Sequence, residues 1–522
     1  MCFRKCWLAR AVSFTLLLIF TGNSSGLDKK VSEWGAQTRA EKVMVAGLRK
    51  NGEANLQLLP VGERTIRGSF LKEILLNHAE SEIPSRIIRI SGATVEGVLR
   101  IQGEREAAVS RTVVFSSCNF DGVWLHSAHF EQGLTFARSS FRQGLFLERT
   151  HVKGDLLLSG IKPATEGDDI RIILDDAHID GQLMMQSLNV SAIQARRLTA
   201  QSVRLDLTPG SRLKKVDFSQ LEVESVTIAD YHIASTSPLS ELWLSEASIK
   251  KTLRLSHVVL GELHAPGLRV DGRTDVEDGV GIQKSIDLAW ASLGTFEWGV
   301  VECDDQTGRP CWPADRDNIR IGAMSLRDIS IRPYFFPDPV ADSPPAWGKD
   351  ESLQFLDQAA FSESAYASYE QLLRNRGLIA EADNVYRGMR AHKRAATWQA
   401  SQGFLGKMGA AVYITIDLIQ KVLLGYGRSA LQPLLWSLAF VAFGTVVFRS
   451  EKRMEVIGEH PPQFSAFWYS LELFLPVVDL GVAKNWRPAR RSFPLLTYAR
   501  VHQLAGWILI PVALAALTGA FK

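Results

Sequence analysis

At 522 residues the chain is too long for one ordinary core, so two or more structural units are expected unless repeats extend a single one. A hydrophobic fraction of 46% lies between soluble and polytopic membrane proteins, which suits a large water-facing part joined to a small membrane part. Basic and acidic residues nearly balance, 59 against 56 for a net charge of +3, so no global field draws in nucleic acid and that partner is excluded.

Residues 1–26 carry basic Arg4, Lys5 and Arg10, then an apolar run over 11–20, then the small residues Gly22, Ser24, Ser25 and Gly26. This is the three-part layout of a signal peptide, and it predicts export of the segment that follows. Cys2 and Cys6 fall in this leader, and Cys118 reads as a small buried apolar residue. Cys303 and Cys311 flank a loop with Asp304, Asp305, Gly308 and Pro310, so an oxidising compartment is expected to close them into a disulfide. Neither Cys-x-x-Cys nor His-Glu-x-x-His occurs, and no metal site is assigned.

Residues 27–90 form an N-terminal cap region, and a unit of roughly ten or eleven residues then recurs over 91–332. Ser127-Ala128-His129-Phe130-Glu131-Gln132-Gly133-Leu134-Thr135-Phe136 is matched by Thr150-His151-Val152-Lys153-Gly154-Asp155-Leu156-Leu157-Leu158 and by Ala177-His178-Ile179-Asp180-Gly181-Gln182-Leu183. Alternating strands point every second side chain inward and glycine permits a tight corner, so the fold class is mainly β: a wound β-solenoid. His129, His151 and His178 share one place in the unit. Because Asn119 and Ser140 occupy the equivalent place, that recurrence is read as repeat geometry. Asp168, Asp169, Asp175, Asp176 and Asp180 read as solvated loop acids, and Trp243, Trp290, Trp298 and Trp312 as fillers of corners or ends before a sugar-binding surface.

Five prolines between Pro333 and Pro345 mark a linker over 333–349. The period then changes to that of helices, and 350–400 reads as a helical hairpin neck broken at Gly377. The stretch 404–427 has Lys407, Asp417 and Lys421 among apolar residues, as an interfacial helix would. Residues 431–448 carry no charge and 501–521 only His502, which predicts a C-terminal α-helical transmembrane pair. Between them 464–480, interrupted at Pro476, reads as a re-entrant segment. Basic residues such as Arg449, Lys452, Arg487 and Arg491 place the intervening loop in the cytoplasm and the solenoid outside. Glu472, Pro476, Asp479 and His502 are the candidate functional residues of this module, with Arg487, Arg490 or His502 expected to partner the two acids.

Tyr369, Leu372, Arg376-Gly377 and Glu381-Ala382; Gly425-Tyr426-Gly427, Pro433 and Trp436; Tyr469-Ser470-Leu471-Glu472-Leu473-Phe474-Leu475-Pro476 continuing to Gly481, with Trp486; and Gly506-Trp507 together resemble a family of bacterial membrane proteins. That family joins pentapeptide-like β-solenoid repeats to a C-terminal two-helix membrane module, and the resemblance implies a right-handed β-solenoid of pentapeptide-like repeats here. The resemblance covers 369 to the end well and the repeats loosely. It implies a membrane location; some members carry the label membrane-associated oxidoreductase, and some relatives have a membrane part that looks like a two-helix ion channel.

The residues themselves offer neither chemistry. Leu475-Pro476-Val477-Val478-Asp479-Leu480-Gly481 stands where a carbonyl-lined filter would be needed. Gly403-x-x-Gly406-x-x-Gly409 follows no strand and is no dinucleotide fingerprint, and His502 reads as a buried hydrogen-bonded histidine, so no cofactor is assigned. The sequence favours a non-enzymatic binding or scaffold protein at the bacterial inner membrane, its solenoid periplasmic, its partners the lipid bilayer and an envelope protein or glycan. Gly444, Gly506 and Gly519 allow homo-oligomers. The alternatives are a channel-like pore with a degenerate pore loop and an oxidoreductase of unidentified chemistry.

Overall fold

The structure, a computed structural model, describes residues 34–78, 82–103, 108–207, 213–230, 239–277, 280–299, 313, 315–332, 356, 359–428, 431–458, 462–475 and 478–517. The leader, Cys303, Cys311, Trp312, the linker over 333–349, Pro476 and Gly519 lie outside them. The chain divides into two units, Met1–Tyr386 and Arg387–Lys522.

The first unit is a parallel β-solenoid. Its strands alternate as the sequence does: in Thr112–Ser116, Val113 and Phe115 are buried while their neighbours are partly exposed. One 15-stranded sheet and one 13-stranded sheet form its two walls. Along the first wall Val113 pairs with Leu134, Leu134 with Leu156, and Leu156 with Leu183, always in parallel. Each coil therefore consumes about two of the sequence's ten-to-eleven-residue units, one for each wall. The sequence unit is half a coil.

Inward-facing rings from both walls fill the interior. Phe115 stacks on Phe136 and Phe120 on Phe141, each with ring centroids 5.2 Å apart, and Phe115 meets Phe120 edge-on at 5.3 Å. All four are fully buried, and each ring contributes about 1.5–3 kcal/mol from burial alone.

The corners differ from expectation. After the second-wall strands, Asp176, Arg197, Gln220, Glu246, Gly267, Trp290 and Ala323 adopt positive φ, and only one of these is glycine. The amides form a ladder between coils: Arg197 N donates to Ser219 O at 2.9 Å, Gln220 N to Ser245 O at 2.7 Å and Glu246 N to Pro266 O at 2.8 Å. The repeat glycines serve close approach instead. A Cβ on Gly154 would lie 2.7 Å from the Gly133 nitrogen of the neighbouring coil.

Both ends of the solenoid are covered, which protects its edge strands. At the start, α1 (Arg39–Asn51) is opened by a capping box between Thr38 and Glu41, and α2 (Gly68–Glu73) follows. The strands Glu53–Asn55 and Thr65–Arg67 already pair with the solenoid, so its first rungs lie inside the expected cap region. At the far end α3 (Glu363–Asn375) lies against Ser325–Arg332, and Ala323 N donates to Ser364 Oγ at 2.8 Å. Gly377, at φ 78°, turns the chain into α4 (Ile379–Ala400), whose Asp383 pairs with Arg374 at 2.6 Å.

The second unit is helical. It comprises the end of α4 from Arg387, then α5 (Gly403–Leu424), α6 (Leu431–Val447), α7 (Ala466–Phe474), α8 (Val482–Asn485) and α9 (Phe493–Leu517), with a small antiparallel pair, Met454–Val456 on Trp486–Pro488. Phe448, Tyr469, Trp486 and Leu495 make one core cluster and Val441, Phe474 and Leu509 a second. Among the described residues no helix is long and apolar enough to cross a membrane. Helix α6 has 17 residues, a rise of about 25 Å against a hydrocarbon core of about 30 Å. Helix α9 begins earlier than expected, at Phe493, and includes Arg500, His502 and Pro511, while residues 518–521 of the expected span lie outside the described residues.

Candidate functional site

Two glycines bring three helices of the second unit together around a polar cluster. A Cβ on Gly444 of α6 would lie 2.3 Å from Ser470 Oγ and 2.7 Å from His502 Cε1, and one on Gly506 of α9 would lie 1.8 Å from the Phe474 carbonyl. Helices α6, α7 and α9 thus meet at backbone distance around His502, which is fully buried. Its Nε2 lies 3.1 Å from the Ser470 carbonyl oxygen and its Nδ1 3.3 Å from the Tyr498 hydroxyl. A carbonyl only accepts, so Nε2 carries the hydrogen and Nδ1 accepts from Tyr498. Ser470 Oγ in turn donates to the Val441 carbonyl at 2.9 Å. Neither ring nitrogen is left open, and the cluster locks three helices together.

The two acids of α7 and the following loop find different partners from those expected. Buried Glu472 accepts from the amides of Val482 and Ala483 at 2.7 and 2.9 Å, because the left-handed Gly481 turns the chain back onto α7. Asp479 is exposed and pairs with Lys484. Arg487 instead meets Glu455 at 3.3 Å, and the Arg490 amide donates to the same carboxylate at 3.2 Å.

The most enclosed carboxylate among the described residues of the second unit is one the sequence does not single out. The Asp417 side chain, read as a polar residue of an interfacial helix, is 1% exposed and is held by Arg394 at 2.5 Å, by Arg390, and by the Tyr426 hydroxyl at 2.8 Å. Arg394 also donates to the Tyr426 hydroxyl at 2.6 Å. Tyr426 reaches this position because Gly425, Tyr426 and Gly427 all take positive φ, and the tyrosine among them is a strained non-glycine residue. Burial works to raise the Asp417 pKa, but the hydrogen bonds from Arg394 and Tyr426 and the charges of both arginines outweigh it and hold the carboxyl below its ordinary value. The available signal was the spacing of Arg390 and Arg394, one helical turn apart on α4.

In the first unit the three recurrent histidines form one outward row. His129 pairs with His151 and His151 with His178 in parallel register, with ring centroids 5.3 and 4.8 Å apart. Asp180, two residues beyond His178 and on the same face, lies 3.1 Å from His151 Nε2 and 2.9 Å from His178 Nε2. Asn119 and Ser140, taken above as equivalents of these histidines, pair with each other on the opposite wall. The row continues instead to Ala108 on one side and Thr199 on the other. Trp290 stands exposed at a left-handed corner, and Trp243 stacks on His264 at 4.1 Å. Cys118 is buried, its thiol pushed up to about 11 by burial.

No family model, curated protein or solved structure matches this chain.

Proposed function

We propose that the protein is a membrane-held β-solenoid that presents an extended binding or scaffold surface in the cell envelope, with the helical unit as its anchor. One observation carries the reading: the helices of the second unit leave large apolar side chains in the open. Phe404 of α5 is 81% exposed, Leu438 of α6 60% and Trp507 of α9 60%, with Leu405, Val412, Leu431, Phe443, Leu504 and Ile508 exposed beside them on the same helices. Soluble monomers rarely leave apolar patches of this extent open to water, whereas lipid contact removes their cost. The short rise of α6 is compatible with a crossing if the bilayer thins locally and Arg449 and Lys452 reach for headgroups at its end. Helix α5, with Asp417 folded inward and Lys407 and Lys421 available to the headgroups, suits the interface. Repeats build long, regular faces, and the solenoid's outward rows supply the surface that an envelope protein or glycan would meet.

Alkaline carbonate treatment of membranes from expressing cells tests the anchor. The full chain should remain in the pellet and float with lipid in a density gradient; release into the supernatant as a soluble species would overturn the reading.

A further inference from the structure

We infer that His151, His178 and Asp180 form a surface site for a divalent first-row transition ion of the zinc, nickel or copper class, with His129 as a reserve imidazole beside it. The ligand atoms of the three residues lie within 4.8 Å of one another, on rigid strands and not on a loop. Parallel pairing sets this geometry: adjacent strands lie about 4.8 Å apart, so identical residues in register bring their rings to that spacing. Asp180 then closes the triangle from the position two residues on.

The donor set selects the metal. Two imidazoles with one carboxylate suit zinc, nickel or copper, whereas magnesium and calcium prefer oxygen alone. Ligands bound to a common ion at about 2.0–2.2 Å stand about 3–3.5 Å from each other; the two nitrogen-to-oxygen separations, 3.1 and 2.9 Å, lie near that range, and a small rotation of the rings brings the set onto one ion. In the structure the Asp180 carboxylate accepts from His151 Nε2, and His178 Nε2 lies within ion-pair distance of the same oxygen; an ion held among the three takes the place of the His151 hydrogen, with each ring carrying its proton on Nδ1. Lys153 occupies the same outward row between Glu131 and Asp180 and is drawn to Glu131, away from the site. The site faces solvent, so water completes the coordination.

The test uses the purified full-length chain in detergent, titrated with Zn²⁺ by calorimetry. One saturable zinc per chain is expected, weakened at least about tenfold in His178→Ala and in Asp180→Asn, and less in His129→Ala. His264→Gln, on the opposite wall, should bind as the parent does. Asp180→Asn preserves shape and carries the test should His178→Ala fail to fold. Absence of saturable zinc binding, or equal affinity in the parent and Asp180→Asn, would overturn the site; so would equal loss in His264→Gln.

Discussion

Arg394 reaches Asp417 at 2.5 Å inside the helical unit, and the same guanidinium nitrogen donates to the Tyr426 hydroxyl at 2.6 Å. A strained tyrosine, a buried acid and two arginines therefore form one network. Asp417→Asn leaves Arg390 and Arg394 without their carboxylate and is expected to cost about 3 kcal/mol, because removing one partner of an enclosed pair strands the other. Tyr426→Phe removes two charge-assisted hydrogen bonds, one donated to Asp417 and one accepted from Arg394, and should cost at least about 1.5–3 kcal/mol. Thermal unfolding of the detergent-solubilised chain measures both.

Close helix approach around His502 makes the glycines intolerant of any side chain. Gly506→Ala would press a methyl into the Phe474 backbone carbonyl, which has little freedom to move, so the loss should exceed about 3 kcal/mol. Gly444→Ala meets side-chain atoms of Ser470 and His502 and no backbone carbonyl, so a smaller loss of about 1–3 kcal/mol is expected. The order of the two melting temperatures checks the argument.

The left-handed corners predict a different pattern. Gln220→Val should destabilise by about 1–2 kcal/mol, because a β-branched residue resists positive φ. Gln220→Gly should stay within about 0.5 kcal/mol of the parent, since the relief of strain and the greater freedom of the unfolded chain nearly cancel. If both variants lose equally, the side-chain contact from Gln220 to Glu246 and not the backbone holds the corner.

Acid should loosen the start of the solenoid through Glu41. Burial works to raise its pKa, but the hydrogen bonds from Arg67 and from the amides of Gln37, Arg67 and Thr38 prevail and hold it below the ordinary carboxylate value. A folded pKa below the unfolded one gives stability that is fully present above the unfolded value, about 4.3, and is lost as pH falls through the folded value. Glu41→Gln should therefore be less stable than the parent at neutral pH, with the difference shrinking below about pH 4. Urea melts monitored by circular dichroism at several pH values would show it.

Much of the solenoid was legible because one physical constraint repeats: Leu134 and Phe136, Leu156 and Leu158, Leu183 and Met185 all alternate inward from the same wall. The sequence unit could not reveal that it was half a coil, since both walls obey the same apolar alternation. For that reason Asn119 was matched to His129 although they stand on opposite walls. Corners were misread because the backbone ladder pins residues such as Arg197 and Gln220 at positive φ without glycine's help. In the helical unit the sites were visible and their partners were not. Glu472 bonds to amides that a turn at Gly481 returns to it, and no pattern of charges announces a backbone donor. Asp417 looked like interfacial polarity because its arginine partners lie on α4, outside the apolar stretch that drew attention.

Membrane topology tests the central claim most directly. Reporters active only in the periplasm or only in the cytoplasm, fused after Tyr334 and after Arg491, should give periplasmic activity at the first position and cytoplasmic activity at the second. Activity on one side at both positions, or the reverse assignment, would contradict an outward-facing solenoid held by membrane-crossing helices.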